Sequence, residues 1–191
     1  MKKVLIIGAS GSLAQSVIEA LKESHNIALT LFLRNKNRLS ESLAEGCAVV
    51  EGDAMNYEDV KEAVNDQDIV YINLAGNLEA MAKNIVKAMQ ETGVKRVIAI
   101  SSIGIYTTPL KPVLVPYRKL ADVIENSGLD YTILRPDWFT SGNEIKYAIT
   151  RKGEPESGTA ISRKSIATFI TTVVENPGLY KNENLGISKP T

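Results

Sequence analysis

Seven residues near the start of the chain, Gly8-Ala9-Ser10-Gly11-Ser12-Leu13-Ala14, narrow its possible folds sharply because of what flanks them. Ahead lies Lys3-Val4-Leu5-Ile6-Ile7, a short apolar run that reads as a buried strand. Behind, Leu13, Val17, Ala20 and Leu21 recur at helical spacing. A glycine at a strand end permits a tight turn, a second lets the backbone approach a pyrophosphate, and a small residue at position 14 lets helix and strand pack closely. The helix start then offers unpaired N–H groups and the positive end of its dipole to phosphates. Gly8, Ser10, Gly11, Ser12 and Leu13 are therefore expected to hold a dinucleotide. The alternative is that Gly8 and Gly11 only shape a turn in an α/β domain without a ligand.

The same alternation continues along the chain. Strands are expected at Lys3–Ile7, Ala28–Leu33, Ala48–Glu51, Ile69–Leu74, Arg96–Ser101 and Tyr131–Leu134. Their unbroken Val/Ile/Leu character suits a parallel sheet covered on both faces. Between them, Leu78, Met81, Ala82, Ile85, Val86 and Met89 share one helical face, as do Ile166, Ala167, Phe169, Ile170, Val173 and Val174. The last helix should open on Ser162 or Ser165 and stop at Asn176-Pro177-Gly178. The expected architecture is a doubly wound parallel α/β sheet, a Rossmann fold in three α/β/α layers. One domain over residues 1–191 is expected, with substrate-side elements from about 103–117 and 136–160, the least regular stretches.

Composition excludes several function classes. Acidic and basic residues number 22 each, so no net charge draws the chain to nucleic acid or to an anionic membrane. One His (His25) and one Cys (Cys47) leave no basis for a metal site, an intrachain disulfide or a Ser-His-Asp or Cys-His nucleophile system. The first apolar run is too short for a signal-peptide core, and no segment is long enough for a membrane span, which points to a cytoplasmic protein, monomeric or weakly dimeric.

The end of the second strand speaks to the nucleotide. A site for NAD carries an acid there for the ribose 2′-hydroxyl. This chain reads Leu33-Arg34-Asn35-Lys36-Asn37-Arg38, with no acid before Glu41. Arg34 and Arg38, with Asn35 between them, suit a 2′-phosphate, so NADP(H) is expected over NAD(H). The alternative is a solvated basic turn.

With these motifs in order, the chain resembles the atypical short-chain dehydrogenase/reductases of the NmrA-like group. The resemblance is carried by the glycine loop, Leu33-Arg34, Gly52-Asp53, Asn73-Leu74-Ala75-Gly76, Ser101-Ser102, Ser127 through Pro136, and Ile161-Ser162-Arg163-Lys164-Ser165-Ile166-Ala167. It implies that Asp53 meets the adenine with Ala54 beside it, that Leu74, Ala75 and Gly76 line the cofactor's centre, and that Ser101 and Ser102 lie near the nicotinamide. Asp53 also suits a helix N-cap before the helix around Glu58–Val64, and Leu74 and Ala75 suit strand core.

The resemblance also exposes a departure. Ser102 matches the group's catalytic serine, but its Tyr-x-x-x-Lys pair is missing: Tyr117 is followed four residues on by Ala121, and alignment on Ser127-Gly128-Leu129 puts Val113 where the tyrosine would be. An ordinary alcohol dehydrogenase or sugar epimerase needs that pair to move a hydroxyl proton. The chain is also similar to small flavin and biliverdin-IXβ reductases, whose conjugated acceptors demand less acid–base help. Tyr106, Tyr117, Trp138 and Phe139 are the expected substrate-side residues, although Trp138 and Phe139 also suit core positions and Tyr117 a packing role. The function implied is transfer of hydride from NADPH to a flavin, quinone or similar conjugated small molecule. The alternative is an NAD(P)-sensing regulator of the NmrA type that does not turn the cofactor over.

Overall fold

Val4, Leu5, Ile6 and Ile7 are all fully buried, as they must be in a strand covered on both faces. The computed structural model describes residues 1–191. Its elements run β1 (Lys2–Ile7), α1 (Ser12–Lys22), β2 (Ile27–Leu33), α2 (Glu41–Ala44), β3 (Ala48–Glu51), α3 (Tyr57–Val64), β4 (Ile69–Ile72) and α4 (Leu78–Thr92), continuing through β5 (Arg96–Ile100), α5 (Val115–Glu125), β6 (Asp130–Pro136), β7 (Phe139–Thr140), β8 (Ala148–Arg151), β9 (Ile161–Ser162), α6 (Arg163–Glu175) and β10 (Glu183–Ser188). Eight strands form one sheet in the order β3-β2-β1-β4-β5-β6-β10-β8, and β7 pairs with β9 alone. Every pairing is parallel except that of β8 with β10.

Strand alternation sends Val4 and Ile6 to one face, where they meet Leu13, Val17, Ile166 and Ile170 of α1 and α6. Leu5 and Ile7 point to the other face, among Val60, Ile85, Leu120 and Ile124 of α3, α4 and α5. The result is the doubly wound, three-layer Rossmann fold. Strand order reverses around β1, and open sheets of this kind bind ligands at such a switch point, beyond the carboxyl ends of the strands.

The differences from expectation have local causes. β4 stops at Ile72 and β5 at Ile100, so Asn73, Leu74 and Ser101 leave the sheet. The N-cap of α3 is Asn56, whose side chain accepts from the Glu58 N–H. Asp53 is therefore not the cap, and instead accepts from the Met55 N–H at 2.9 Å. Trp138 and Phe139 are 83% and 38% exposed, which removes their core reading.

Strand β10 escapes a sequence reading because Asn184, Gly186 and Ser188 interrupt its apolar run. Asn184 is nevertheless buried, since its polar atoms are all engaged. Arg135 Nη1 donates to its Oδ1 at 2.6 Å, while its Nδ2 donates to Tyr106 Oη and Glu125 Oε1 at 2.8 Å each.

Helices α4 and α5 are joined at the surface by Glu79, which pairs with Lys119 at 2.7 Å and with Lys83 at 2.7 Å. These partners, Lys119 foremost, lower the Glu79 carboxyl to about 2. A carboxyl held below its unfolded value contributes stability above that value and loses it as pH falls through the folded pKa. Glu79→Gln is therefore expected to lower the melting temperature slightly at pH 7, with the difference from wild type vanishing between about pH 4.5 and pH 2. Thermal melts across that range check it; a constant difference would mean that the ion pairs contribute nothing.

Candidate functional site

Beyond the carboxyl ends of β1, β4, β5 and β6 opens a cleft of about 1630 Å³. Sites for drug-sized ligands occupy about 300–1,000 Å³, so this one has room for an extended dinucleotide and a second molecule. Gly8, Ser10, Gly11, Ser12 and Leu13 lie at one part of its wall, with Arg34, Asn35 and Arg38 beyond the end of β2. Asp53 and Ala54 follow β3, Leu74, Ala75 and Gly76 follow β4, and Ser101 and Ser102 follow β5, all on the same cleft.

The glycine loop has the geometry of a phosphate cradle. Gly8 sits at φ +89°, and a Cβ there would overlap the Asn73 carbonyl. A Cβ on Gly11 would come within 2.6 Å of Asn73 Nδ2. Asn73 thus fills the space that these glycines leave open, and it lines the cleft itself. No side chain caps α1. Its first helical hydrogen bond runs from the Gln15 N–H to the Gly11 carbonyl, which leaves the N–H groups of Ser12, Leu13 and Ala14 for a ligand. These features fit a dinucleotide pyrophosphate.

At the end of β2, the turn carrying the arginines is held by the side chains of Asn35 and Glu51. Asn35 accepts from the Asn37 N–H at 2.9 Å, and the Lys36 N–H donates to Glu51 Oε2 at 2.9 Å. Arg34 and Arg38 flank this turn on the cleft wall with no carboxylate among the lining residues at that end except Asp53. Asp53 is tied back through its N–H to Asp59 Oδ2 at 2.9 Å.

The opposite end is walled by Val113, Leu114, Tyr117, Pro136, Trp138 and Phe139. Ser101 Oγ donates to the Tyr117 carbonyl at 3.0 Å, fixing α5 against β5. Ser102 Oγ donates only to the neighbouring Ile103 carbonyl at 3.2 Å, so no acid–base side chain is coupled to it. Lys119 is occupied with Glu79.

Tyr106 stands apart from the other expected residues and does not line the cleft. Its ring lies within 4.7–5.2 Å of the cationic groups of Arg118, Lys152 and Arg135, and its hydroxyl accepts from Asn184. Burial, followed by the nearby Glu125, raises the phenol above its usual range. The signal misread here was adjacency: Tyr106 follows the serines by four residues, but the turn between them carries it behind the wall.

Lys111, Asn77 and Glu156 also line the cleft, although the sequence singled out none of them as site residues. Lys111 lies on the irregular segment before α5, and Asn77 caps α4. Glu156 belongs to the loop between β8 and β9 and is placed on the cleft wall by long-range contacts: Arg135 Nε donates to its Oε1 at 2.9 Å and the Gly104 N–H to its Oε2 at 2.8 Å. Arg135 is 1% exposed, so this carboxylate is held from inside the fold.

Comparisons with known proteins show the family of the chain. The sequence model of a family described as NAD(P)H-binding matches residues 8–177. A Rossmann-fold NAD(P)-binding family protein from Shigella flexneri is 41% identical and superposes with a TM-score of 0.92 over 100% of this chain and 94% of that one. A short-chain dehydrogenase/reductase from Veillonella parvula, solved in complex with NADP, is 25% identical with a TM-score of 0.89, covering 99% and 95% of the two chains. An isoflavone reductase homolog, A622-like, from Nicotiana tabacum is 24% identical over 202 residues, 92% of this chain. The chain spans 64% of the length of that relative.

Proposed function

The chain belongs to the NAD(P)H-binding family, within the atypical short-chain dehydrogenase/reductases of the NmrA-like group, and from that premise we propose that it is an NADPH-dependent reductase of a flavin, quinone or similar conjugated acceptor. The observation that carries this reading is the contrast between the two ends of the cleft. One end offers a phosphate cradle and two arginines; the other offers exposed aromatic and aliphatic walls around a serine with no acid–base partner.

The cofactor, when bound, supplies hydride. Everything else falls to the chain's own residues. Gly8 through Leu13 hold the pyrophosphate, Arg34 and Arg38 take the 2′-phosphate, and Asp53 meets the adenine. Trp138, Phe139 and Tyr117 stack a planar acceptor and keep water from it. An acceptor that is itself a strong electrophile needs positioning more than proton transfer, which suits a site without the tyrosine–lysine pair.

The test is NADPH oxidation by the purified protein against a panel of flavins and small quinones, with NADH in parallel. Saturable oxidation that is faster with NADPH supports a reductase. Tight NADP(H) binding without oxidation across the panel favours the second reading, an NAD(P)-sensing regulator, to which the missing acid–base pair lends support. Ser102→Ala is expected to lower kcat/KM by less than about tenfold, the effect of losing one orienting hydrogen bond. A loss beyond about a hundredfold would make Ser102 a proton-transferring group instead.

A further inference from the structure

Arg163 is a half-buried guanidinium that the cofactor site as described so far does not use. It is the first residue of α6, and α6 packs beside α1 on one face of the sheet, which brings the two helix starts to the same edge. Arg163 Nε donates to Ser12 Oγ at 3.3 Å, so the guanidinium reaches the phosphate loop itself. Its Nη1 donates to the Thr140 carbonyl at 3.3 Å, and its Cζ lies 5.9 Å from the centre of the Phe139 ring. Neither hydrogen bond goes to a carboxylate, and no acidic residue stands in the first turn of α1 or of α6.

This arrangement gathers like poles. A cation sits beside the positive end of α1 and at the positive end of α6, which is unfavourable until an anion arrives. The cradle at Gly8–Leu13 holds its ligand through backbone N–H groups and contributes no cation of its own. A planar guanidinium bonded to Ser12 completes it, since its fork matches two phosphate oxygens.

We propose that Arg163 binds the pyrophosphate of the dinucleotide and, with the same guanidinium, sets the Trp138–Thr140 segment as the acceptor wall of a loaded site. The proposal rests on the NADP(H) reading of the cleft. It makes Arg163 a positioning residue for the acceptor: cofactor binding draws the guanidinium to phosphate, and Phe139 and Thr140 follow because they are attached to it. Trp138, the sole tryptophan of the chain, lies in that segment and reports on it.

The experiment titrates wild type, Arg163→Ala and Arg163→Lys with NADP⁺ and with 2′-AMP by calorimetry, and follows Trp138 emission at NADP⁺ saturation. The second ligand carries adenosine and the 2′-phosphate but no pyrophosphate. Arg163→Ala is expected to weaken NADP⁺ about tenfold or more, the loss for a charge-assisted contact, and to leave 2′-AMP within about twofold. Arg163→Lys, which keeps the charge but not the fork, is expected to fall between, and it decides the matter if the alanine variant fails to fold. The change in Trp138 emission at saturation should shrink in both variants. Unchanged NADP⁺ affinity overturns the proposal, and so does an equal loss for both ligands, which would make Arg163 a structural residue. Wild type that binds neither ligand contradicts the cofactor reading itself.

Discussion

Gly8→Ala is expected to destabilise the fold by roughly 2–5 kcal/mol and to weaken NADP(H) at least a hundredfold. Two costs coincide at this position. Gly8 lies at φ +89°, where an L side chain is strained whatever surrounds it. The added Cβ would also overlap the Asn73 carbonyl and sit 2.9 Å from its carbon, atoms fixed by the Asn73 N–H bond to the Ile7 carbonyl. Relief requires the β1 turn and the end of β4 to separate, which spoils the cradle on both sides. Gly46→Ala separates the two costs, because Gly46 shares a positive φ of 75° but has nothing near its missing side chain. It should cost only about 1 kcal/mol and leave cofactor binding intact. Urea unfolding of both variants, with NADP⁺ titrations beside it, checks the pair. Equal destabilisation would mean that strain alone, not the close approach of Asn73, makes Gly8 necessary.

The second large effect concerns the nucleotide. Arg34→Ala combined with Arg38→Ala is expected to lower the NADP⁺/NAD⁺ affinity ratio about a hundredfold or more, since each charge-assisted bond to a phosphate is worth roughly 1.5–3 kcal/mol. NAD⁺ should bind the variant about as it binds wild type, because the cradle and the adenine side are untouched. Both arginines lie on the cleft wall just past β2, on a turn fixed by Asn35 and Glu51, so their removal leaves the turn in place. Dissociation constants for the two nucleotides check the prediction. A ratio that does not move would make the pair a solvated basic turn.

The fold was legible where one physical pattern governed a whole element. The runs at β1, β2, β5 and the buried faces of α4 and α6 announce themselves because each residue is placed by the sheet or helix period alone. The phosphate loop was legible for the same reason: Gly8, Gly11 and Ala14 are consecutive in space because they are close in sequence. Strand β10 was not, since its burial depends on Asn184 finding Arg135, Tyr106 and Glu125 from distant parts of the chain. Glu156 and Arg163 share that cause. Glu156 reaches the cleft through Gly104 and Arg135, and Arg163 meets the phosphate loop through Ser12, partners far along the sequence in each case. Tyr106 shows the converse, a residue near the serines in sequence that the fold turns away from them. Local periodicity thus reveals the glycine-loop end of the cleft, whereas tertiary contacts build much of the opposite end.

Hydride transfer itself is read by mixing the NADPH-loaded protein with a flavin in a single turnover, with deuterium at one and then the other C4 position of the nicotinamide. A cleft that holds the cofactor with one face toward the Trp138–Phe139 wall predicts a primary isotope effect from one label and none from its epimer. Equal effects from both labels, or NADPH that stays bound and unoxidised against flavins and quinones alike, would contradict a reductase acting in this cleft.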